Sequence, residues 1–488
     1  MSFIGIDLGT SAVKVIMMEE DGHIIADATR SYPCSYPKSG WSEQDPKLWF
    51  NETLRAFEEL IKTAGNTQVS GIGIAGQMHG LVMLDERDQV IRPAILWNDS
   101  RSTEETDYLN NEIGQKELSK YTANIAFTGF TAPKILWVKK NEPQNYARIK
   151  KIMLPKDYLI YRLTGEFATD VSDASGTLYF DVKERKWSSK MCDILGIKED
   201  MLPKVYESYE VVGTLKNDMA RELSLPAGIK VVAGAGDNAA AAVGVGAVAG
   251  GGCNLSIGTS GTIFIPTREF RVDPKNALHA FAAADGGYHL MGCMLSAASC
   301  NKWWMENILT AGDYSKEQAN VKRLGRNNVY FLPYLMGERS PHNDPYARGT
   351  FIGMTMDTDR TAMTQAVFEG VAFALRDSVD IARKLGISVE NSFLCGGGAK
   401  SSLWRHILAN VLKLRLDLPM VEEGPSYGTA ILAAVGCGVF DSVEAASKQI
   451  SRVGKSIEPV PELMELYEDR YRRFSGIYPA LKSVYRAL

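Results

Sequence analysis

A chain of 488 residues is too long for one hydrophobic core, so two domains are expected. An apolar fraction of 45%, a charged fraction of 23% and a net charge of -4 fit an ordinary globular protein and argue against a nucleic-acid or membrane surface. Seven cysteines without a Cys-x-x-Cys pair and six histidines without metal-ligand spacing argue against a disulfide framework and a metal centre built on them. No apolar run reaches the length of a membrane span and a core strand starts almost at Met1, so the expected location is the cytoplasm.

Residues 4–16 set two Ile- and Val-rich runs around a polar turn, which predicts a β-hairpin. Gly9 permits close backbone approach, and the turn's N–H groups, with Thr10 and Ser11, suit a phosphate. Asp7 ends the first strand at the same spot. A carboxylate beside phosphate needs a cation between them, and Mg²⁺ is the usual one. The stretch also reads as an ordinary hairpin with a polar turn. Residues 22–26 predict a third strand and 32–41 a loop, followed by a helix with Phe50, Leu54, Phe57, Leu60 and Ile61 on one face. Residues 69–75 predict a buried strand ending in Gly76, Gln77, Met78, His79 and Gly80. Ligands collect at the carboxyl ends of strands in open α/β sheets. An amide and an imidazole there suit hydroxyl groups, and a thioether suits a sugar's apolar face; a lone histidine is also often structural. Trp97 and Asp99 belong to a second polar cluster, 97–101, which is either a ligand contact or a solvated turn with a local Asp99–Arg101 pair.

Residues 102–225 read as mostly helical with short strands. Within them, 129–141 is a helix entered through Thr131 and Pro133 with Ile135 and Val138 turned inward. The dense polar stretch 169–175 reads as a loop shaping a cleft. A strand at 229–233 leads through a glycine turn to Asp237, Asn238 and an alanine-rich helix start, where the helix dipole favours an ionised carboxylate. A solvated N-cap aspartate fits the same pattern. The Gly/Ala-rich stretch 243–252 marks the expected boundary between domains 1–248 and 249–488.

Residues 252–264 repeat the opening plan: an apolar run, then Gly258, Thr259 and Ser260, then another apolar run, with Ser256 standing where Asp7 stands in the first copy. Two phosphate turns, one per half, predict a duplicated fold closing over one nucleotide. A buried strand is expected at 330–337, a long helix to about 385, and a strand at 393–395. Gly396, Gly397, Gly398 and Ala399 follow, a run that suits close approach to a flat ligand or is simply a turn.

In this order the motifs resemble the actin and heat-shock-chaperone ATPase superfamily and, within it, the FGGY carbohydrate kinases. Residues 129–141 resemble the family's first signature; 349–354 with 363–369 resemble the second, departing at Ala362, where a polar residue is usual. The resemblance implies an α/β fold of two duplicated actin-like (ribonuclease H-like) ATPase domains around a central cleft, using ATP and Mg²⁺. It implies Asp237 as catalytic base, with Asp7 and Asp237 near the metal. It places Gly9, Thr10, Ser11, Lys14, Gly258, Thr259 and Ser260 at the phosphates and Gly397, Gly398 and Ala399 at the adenosine. Met78 and His79 would hold the sugar, with Gln77, Asn238, Trp97 and Asp99 as further candidates. The Met–His–Gly turn most resembles members acting on D-xylulose, with ribulose, gluconate and glycerol as alternatives. The expected partners are a small sugar and ATP, with no nucleic acid and no membrane; a homodimer is an expectation from the resemblance alone. An ATP-driven binding or filament protein is the reading from another class, and no spare segment looks like its partner module.

Overall fold

The Ile/Val runs pair as the alternation predicts. In the computed structural model, which describes residues 1–65, 68–249 and 251–488, β1 (Ser2–Leu8) and β2 (Ala12–Glu19) form an antiparallel hairpin, extended by β3 (Ile24–Ser31). Helix α1 (Pro46–Ala64) starts at Asp45, whose side chain accepts from the Lys47 N–H, and buries Trp49, Phe50, Phe57 and Leu60. β4 (Val69–Gly76) returns parallel to β1. Helices α2 (Thr131–Asn141) and α3 (Pro155–Thr164) follow, then β5 (Val211–Thr214), β6 (Lys230–Val232), β7 (Ala235–Gly236) and α4 (Asp237–Val245). The first sheet runs β5-β6-β4-β1-β2-β3, with β7 beside β4.

The second half repeats this plan. Its strands are β8 (Cys253–Ile257), β9 (Gly261–Thr267), β10 (His279–Ala282), β11 (Tyr288–Met294), β12 (Asn391–Cys395), β13 (Arg415–Pro419) and β14 (Val453–Ile457), in the order β10-β11-β9-β8-β12-β13-β14. In each sheet the opening strand pairs antiparallel with the next strand on one side and parallel with a later strand on the other. Both polar turns therefore lie at the same corner of equivalent sheets. Helices α5 (Arg360–Lys384), α6 (Ser402–Leu412) and α7 (Gly424–Gly436) accompany the second sheet in sequence.

Helix α7 lies elsewhere in space. A Cβ on Gly5 of β1 would stand 1.8 Å from the Ser426 carbonyl oxygen, and one on Gly73 of β4 would stand 2.1 Å from that of Thr429. Two glycines thus let a late helix lie directly on the first sheet. The opposite face of α7 meets α4, where a Cβ on Gly428 would stand 1.8 Å from the Ala240 oxygen. Gly428→Ala is expected to force the helices apart, at the upper end of the about 1–3 kcal/mol that overpacking costs. A denaturation midpoint equal to that of the parent chain would show that the helices separate freely.

Three segments differ from the sequence reading. Residues 169–175 are not an open loop: a short strand (Ala168–Asp170) and a helical turn (Val171–Ala174) are buried there, because their polar side chains bond one another. The strand expected at 330–337 stops at Leu332, since Pro333 has no N–H to continue the ladder. The third strand begins at Ile24 because Gly22 turns the chain at φ 90°. At Ala362 the start of α5 is capped: the Ala362 N–H is received by the Asp359 side chain. Gly250, inside the expected boundary stretch, lies outside the described residues. Among the described residues no helix is long and apolar enough to cross a membrane.

Candidate active site

The first polar turn is held from behind by its carbonyls. Gly9 O accepts from the Tyr32 hydroxyl, Ser11 O from the Tyr32 N–H, and Thr10 O from Gln44 Nε2 at 2.7 Å. The N–H groups of Thr10 and Ser11 have no partner among the described residues. The second turn repeats the device. Gly258 O and Thr259 O accept from the N–H groups of Ala298 and Ala297, and the Ser299 hydroxyl adds a bond to Thr259 O at 2.8 Å. With their oxygens tied back, both turns offer N–H donors, the geometry that receives an anion. Lys14, opposite Asp7 across the hairpin, pairs with Glu423, just before α7.

A cavity of about 1060 Å³ opens beside the second turn, lined by Thr259, Asn301, Gly397, Gly398, Lys400 and Trp404 among others. Ala399 is buried behind this wall and its carbonyl accepts from Arg405. A smaller cavity of about 430 Å³ shares Gly397 and Lys400 with it and reaches Asp237, Asn238 and Ser256. One continuous wall thus runs from a space of nucleotide size to Asp237.

Asp237 opens α4 directly after β7. Its Oδ1 accepts from the Asn238 N–H (2.7 Å) and Nδ2 (3.0 Å), leaving Oδ2 unbonded among the described residues. Burial pushes its pKa up to about 6, against those two bonds. Burial, followed by the Asp237 charge, pushes Asp7 up to about 7, against the pull of Lys14. The two carboxylates from separate strand ends therefore feel each other. Among the described residues no group of three or more His, Cys, Asp and Glu side chains forms a metal centre. Two hard carboxylate oxygen donors fit Mg²⁺, which commonly takes one or two carboxylates and completes its shell with phosphates and water.

Behind Asp237 lies a buried ionic cluster whose members come from separate stretches of sequence that carry no local signal of their meeting. Lys156 Nζ stands 2.7 Å from Asp157, 3.0 Å from Asp170 and 3.8 Å from Asp173, and all four side chains are buried. Asp170 Oδ2 also accepts from the hydroxyls of Ser172 and Ser208, and Ser172 Oγ accepts from the Gly236 N–H at 3.1 Å. The residue before Asp237 is thus fixed through Ser172 and Asp170 to Lys156.

Met78 packs over Gly236: a Cβ there would stand 3.0 Å from its Sδ. His79 lies with φ 69° and its Nδ1 is 2.7 Å from Gly176 O. Gln77 points away from this turn and braces the first phosphate turn instead, accepting from Thr10 Oγ1 at 3.1 Å. Trp97, 40% exposed, donates from Nε1 to the same Thr10 hydroxyl. Asp99 is fully engaged inside the protein. Its oxygens accept from the Ser42 N–H (2.6 Å), the Arg101 N–H and Nε (both 2.9 Å) and Arg101 Nη2 (2.7 Å), which takes up its lone-pair positions. The local Asp–Arg pair exists, but buried rather than solvated.

The chain matches the FGGY family of carbohydrate kinases, N-terminal domain, over residues 2–244 and the C-terminal domain over 253–437. It is 41% identical to the xylulose kinase of Escherichia coli (strain K12) over 489 residues, covering 98% of this chain and 99% of that one. Among solved structures, a xyloylose kinase from Brucella ovis is 39% identical with a TM-score of 0.95, over 99% of this chain and 100% of that one. A gluconate kinase from Lactobacillus acidophilus is 27% identical with a TM-score of 0.95, over 100% of this chain and 99% of that one. Two duplicated sheets with a polar turn at the same corner of each, joined to full-length similarity, show that the chain belongs to the FGGY family of carbohydrate kinases.

Proposed function

We propose that this chain transfers the γ-phosphoryl group of ATP to a hydroxyl of D-xylulose, giving D-xylulose 5-phosphate and ADP. The observation that carries this reading is the packing of Met78 on Gly236, which brings the Met78–His79 turn against the residue before Asp237. The name carried by the similar E. coli enzyme supports the choice of sugar. The Asp237 carboxylate takes the hydroxyl proton as the oxygen lone pair forms a bond to the γ-phosphorus. The bond to the bridging oxygen breaks, and ADP leaves with that electron pair. Such transfers need chiefly alignment and charge neutralisation. The N–H groups of Thr10 and Ser11, and those of Gly258, Thr259 and Ser260, hold phosphates from two sides. Gly397 and Gly398 wall the adenosine. Asp7 and Asp237 would hold Mg²⁺, which supplies charge neutralisation at the phosphates. The working halves are 1–248 and 249–488, with a homodimer and a cytoplasmic location as further parts of this reading.

A gluconate substrate is the second reading. The Arg339 guanidinium, half-buried near His79 and Lys134, makes its one side-chain hydrogen bond among the described residues to Cys293 Sγ, although its backbone N–H donates to Glu338; a free guanidinium suits an aldonate. ADP release with Mg-ATP and a panel of ketoses, aldoses, aldonates and glycerol separates the readings. Strong turnover on D-xylulose alone supports the proposal. Preferred turnover of gluconate would replace the sugar and retain Asp237. ADP release indifferent to every sugar would favour an ATP-driven binding protein.

A further inference from the structure

His79 is a non-glycine residue held in the left-handed region, at φ 69°, in the turn assigned to the sugar under the proposed function. That conformation is sparsely populated and persists only where the surroundings impose it. The restraint comes from α2, the helix of the first family signature. The His79 carbonyl oxygen accepts from Thr131 Oγ1 at 3.1 Å and from Lys134 Nζ at 2.8 Å. Lys134 Nζ gives a second bond to Gly129 O at 2.7 Å. Its side chain is fully buried, and its hydrogen bonds among the described residues go only to those two carbonyls. Burying an ammonium with no carboxylate in direct contact is expensive, and burial lowers Lys134 to about 7 against the pull of the more distant Asp99 charge. An apolar side chain would pack a helix interior at less cost, so bracing α2 does not account for a lysine here.

The imidazole is fixed as firmly as the backbone. A carbonyl oxygen only accepts, so the 2.7 Å contact to Gly176 O puts the proton on Nδ1. Gly176 leaves room for this, since a Cβ there would stand 2.5 Å from the ring. Phe130, the residue before α2, packs on the ring with centroids 4.8 Å apart. Burial holds the imidazole neutral, with its pKa lowered to about 3. Nε2 is then an acceptor, and it has no protein partner among the described residues.

We propose that Lys134 and Thr131 are positioning residues for sugar recognition: they lock the His79 turn so that Nε2 presents a lone pair to a hydroxyl of the sugar. This rests on the sugar-kinase reading, and it makes the Lys134 contact a determinant of sugar affinity rather than of nucleotide affinity.

Lys134→Met in the full chain tests it. The variant keeps an unbranched side chain, one heavy atom shorter, and removes the buried charge and its two hydrogen bonds. The sugar KM is expected to rise about tenfold or more, because small misplacements of a binding group are costly, while the ATP KM stays within about twofold. The melting temperature is expected to change little, since the buried cation's desolvation cost is removed along with its two bonds. In ¹⁵N spectra, the His79 ring should lose its fixed Nδ1–H tautomer. A folded variant with unchanged sugar KM and an unchanged His79 tautomer overturns the proposal, as does a lowered melting temperature with unchanged KM. If Lys134→Met fails to fold, Thr131→Val carries the same test, with Thr131→Ser expected to restore the parent KM; equal KM in all three chains overturns it. Wild-type protein that turns over no sugar would defeat the kinase reading instead, whereas the tautomer measurement needs no substrate.

Discussion

Asp237→Asn should lower kcat by a factor of about 10²–10⁴, the span expected for a proton-transfer group. The substitution keeps the size of the side chain and removes its charge and its ability to take a proton. Asn238 now gives both of its bonds to Oδ1 of Asp237, so Oδ2 is the oxygen left to face a hydroxyl. ADP should still bind, because the cavity beside Thr259 and Gly398 is walled without Asp237. ADP release in the sugar assay measures the first quantity and a fluorescence titration with ADP the second. A fall smaller than about tenfold would mean that alignment alone carries the reaction and that the proton leaves by another route.

Lys156→Met should cost about 3–5 kcal/mol of folding stability, the usual result of removing one partner from a buried ionic group. Three aspartates, all buried, would then face one another without a cation. Asp173 already has no hydrogen bond to either oxygen, and burial pushes its pKa well up. Such a loss is a large share of the about 5–15 kcal/mol that holds a typical domain together. Activity should fall as well, because Gly236 is tied to Lys156 through Ser172 and Asp170. Chemical denaturation checks the stability. A midpoint equal to the parent's would show that the aspartates are protonated in the folded chain and that Lys156 contributes no net attraction.

Much of the site was legible because it is written in local pattern. Asp7, Gly9, Thr10 and Ser11 lie between two Ile/Val runs, and the hairpin they predict is the one that forms. The second copy at Gly258, Thr259 and Ser260 follows the same pattern and lies at the equivalent corner. Asp237 follows a short strand and begins a helix, as its surroundings indicate. What escaped depends on partners distant in sequence. Nothing near Lys156 foretells that Asp170 and Asp173 will surround it, so 169–175 reads as a loop shaping a cleft. Gln77 stands beside Met78, yet it turns toward Thr10 because Gln44, from before α1, lies within reach of its amide. Lys14 and Glu423 meet from nearly opposite ends of the chain. Period and composition report which face of an element is apolar, and they carry no record of which remote charge arrives there.

The glycine-lined seat on β1 and β4 also bears on how the protein is made. Its occupant, the helix Gly424–Gly436, leaves the ribosome long after Gly73 does. At synthesis rates of about 5–20 residues per second, the nascent first sheet waits on the order of tens of seconds with that face uncovered. Completion of the first half is thus a late event in synthesis, and a chain stopped before that helix would present a bare apolar sheet to chaperones and proteases.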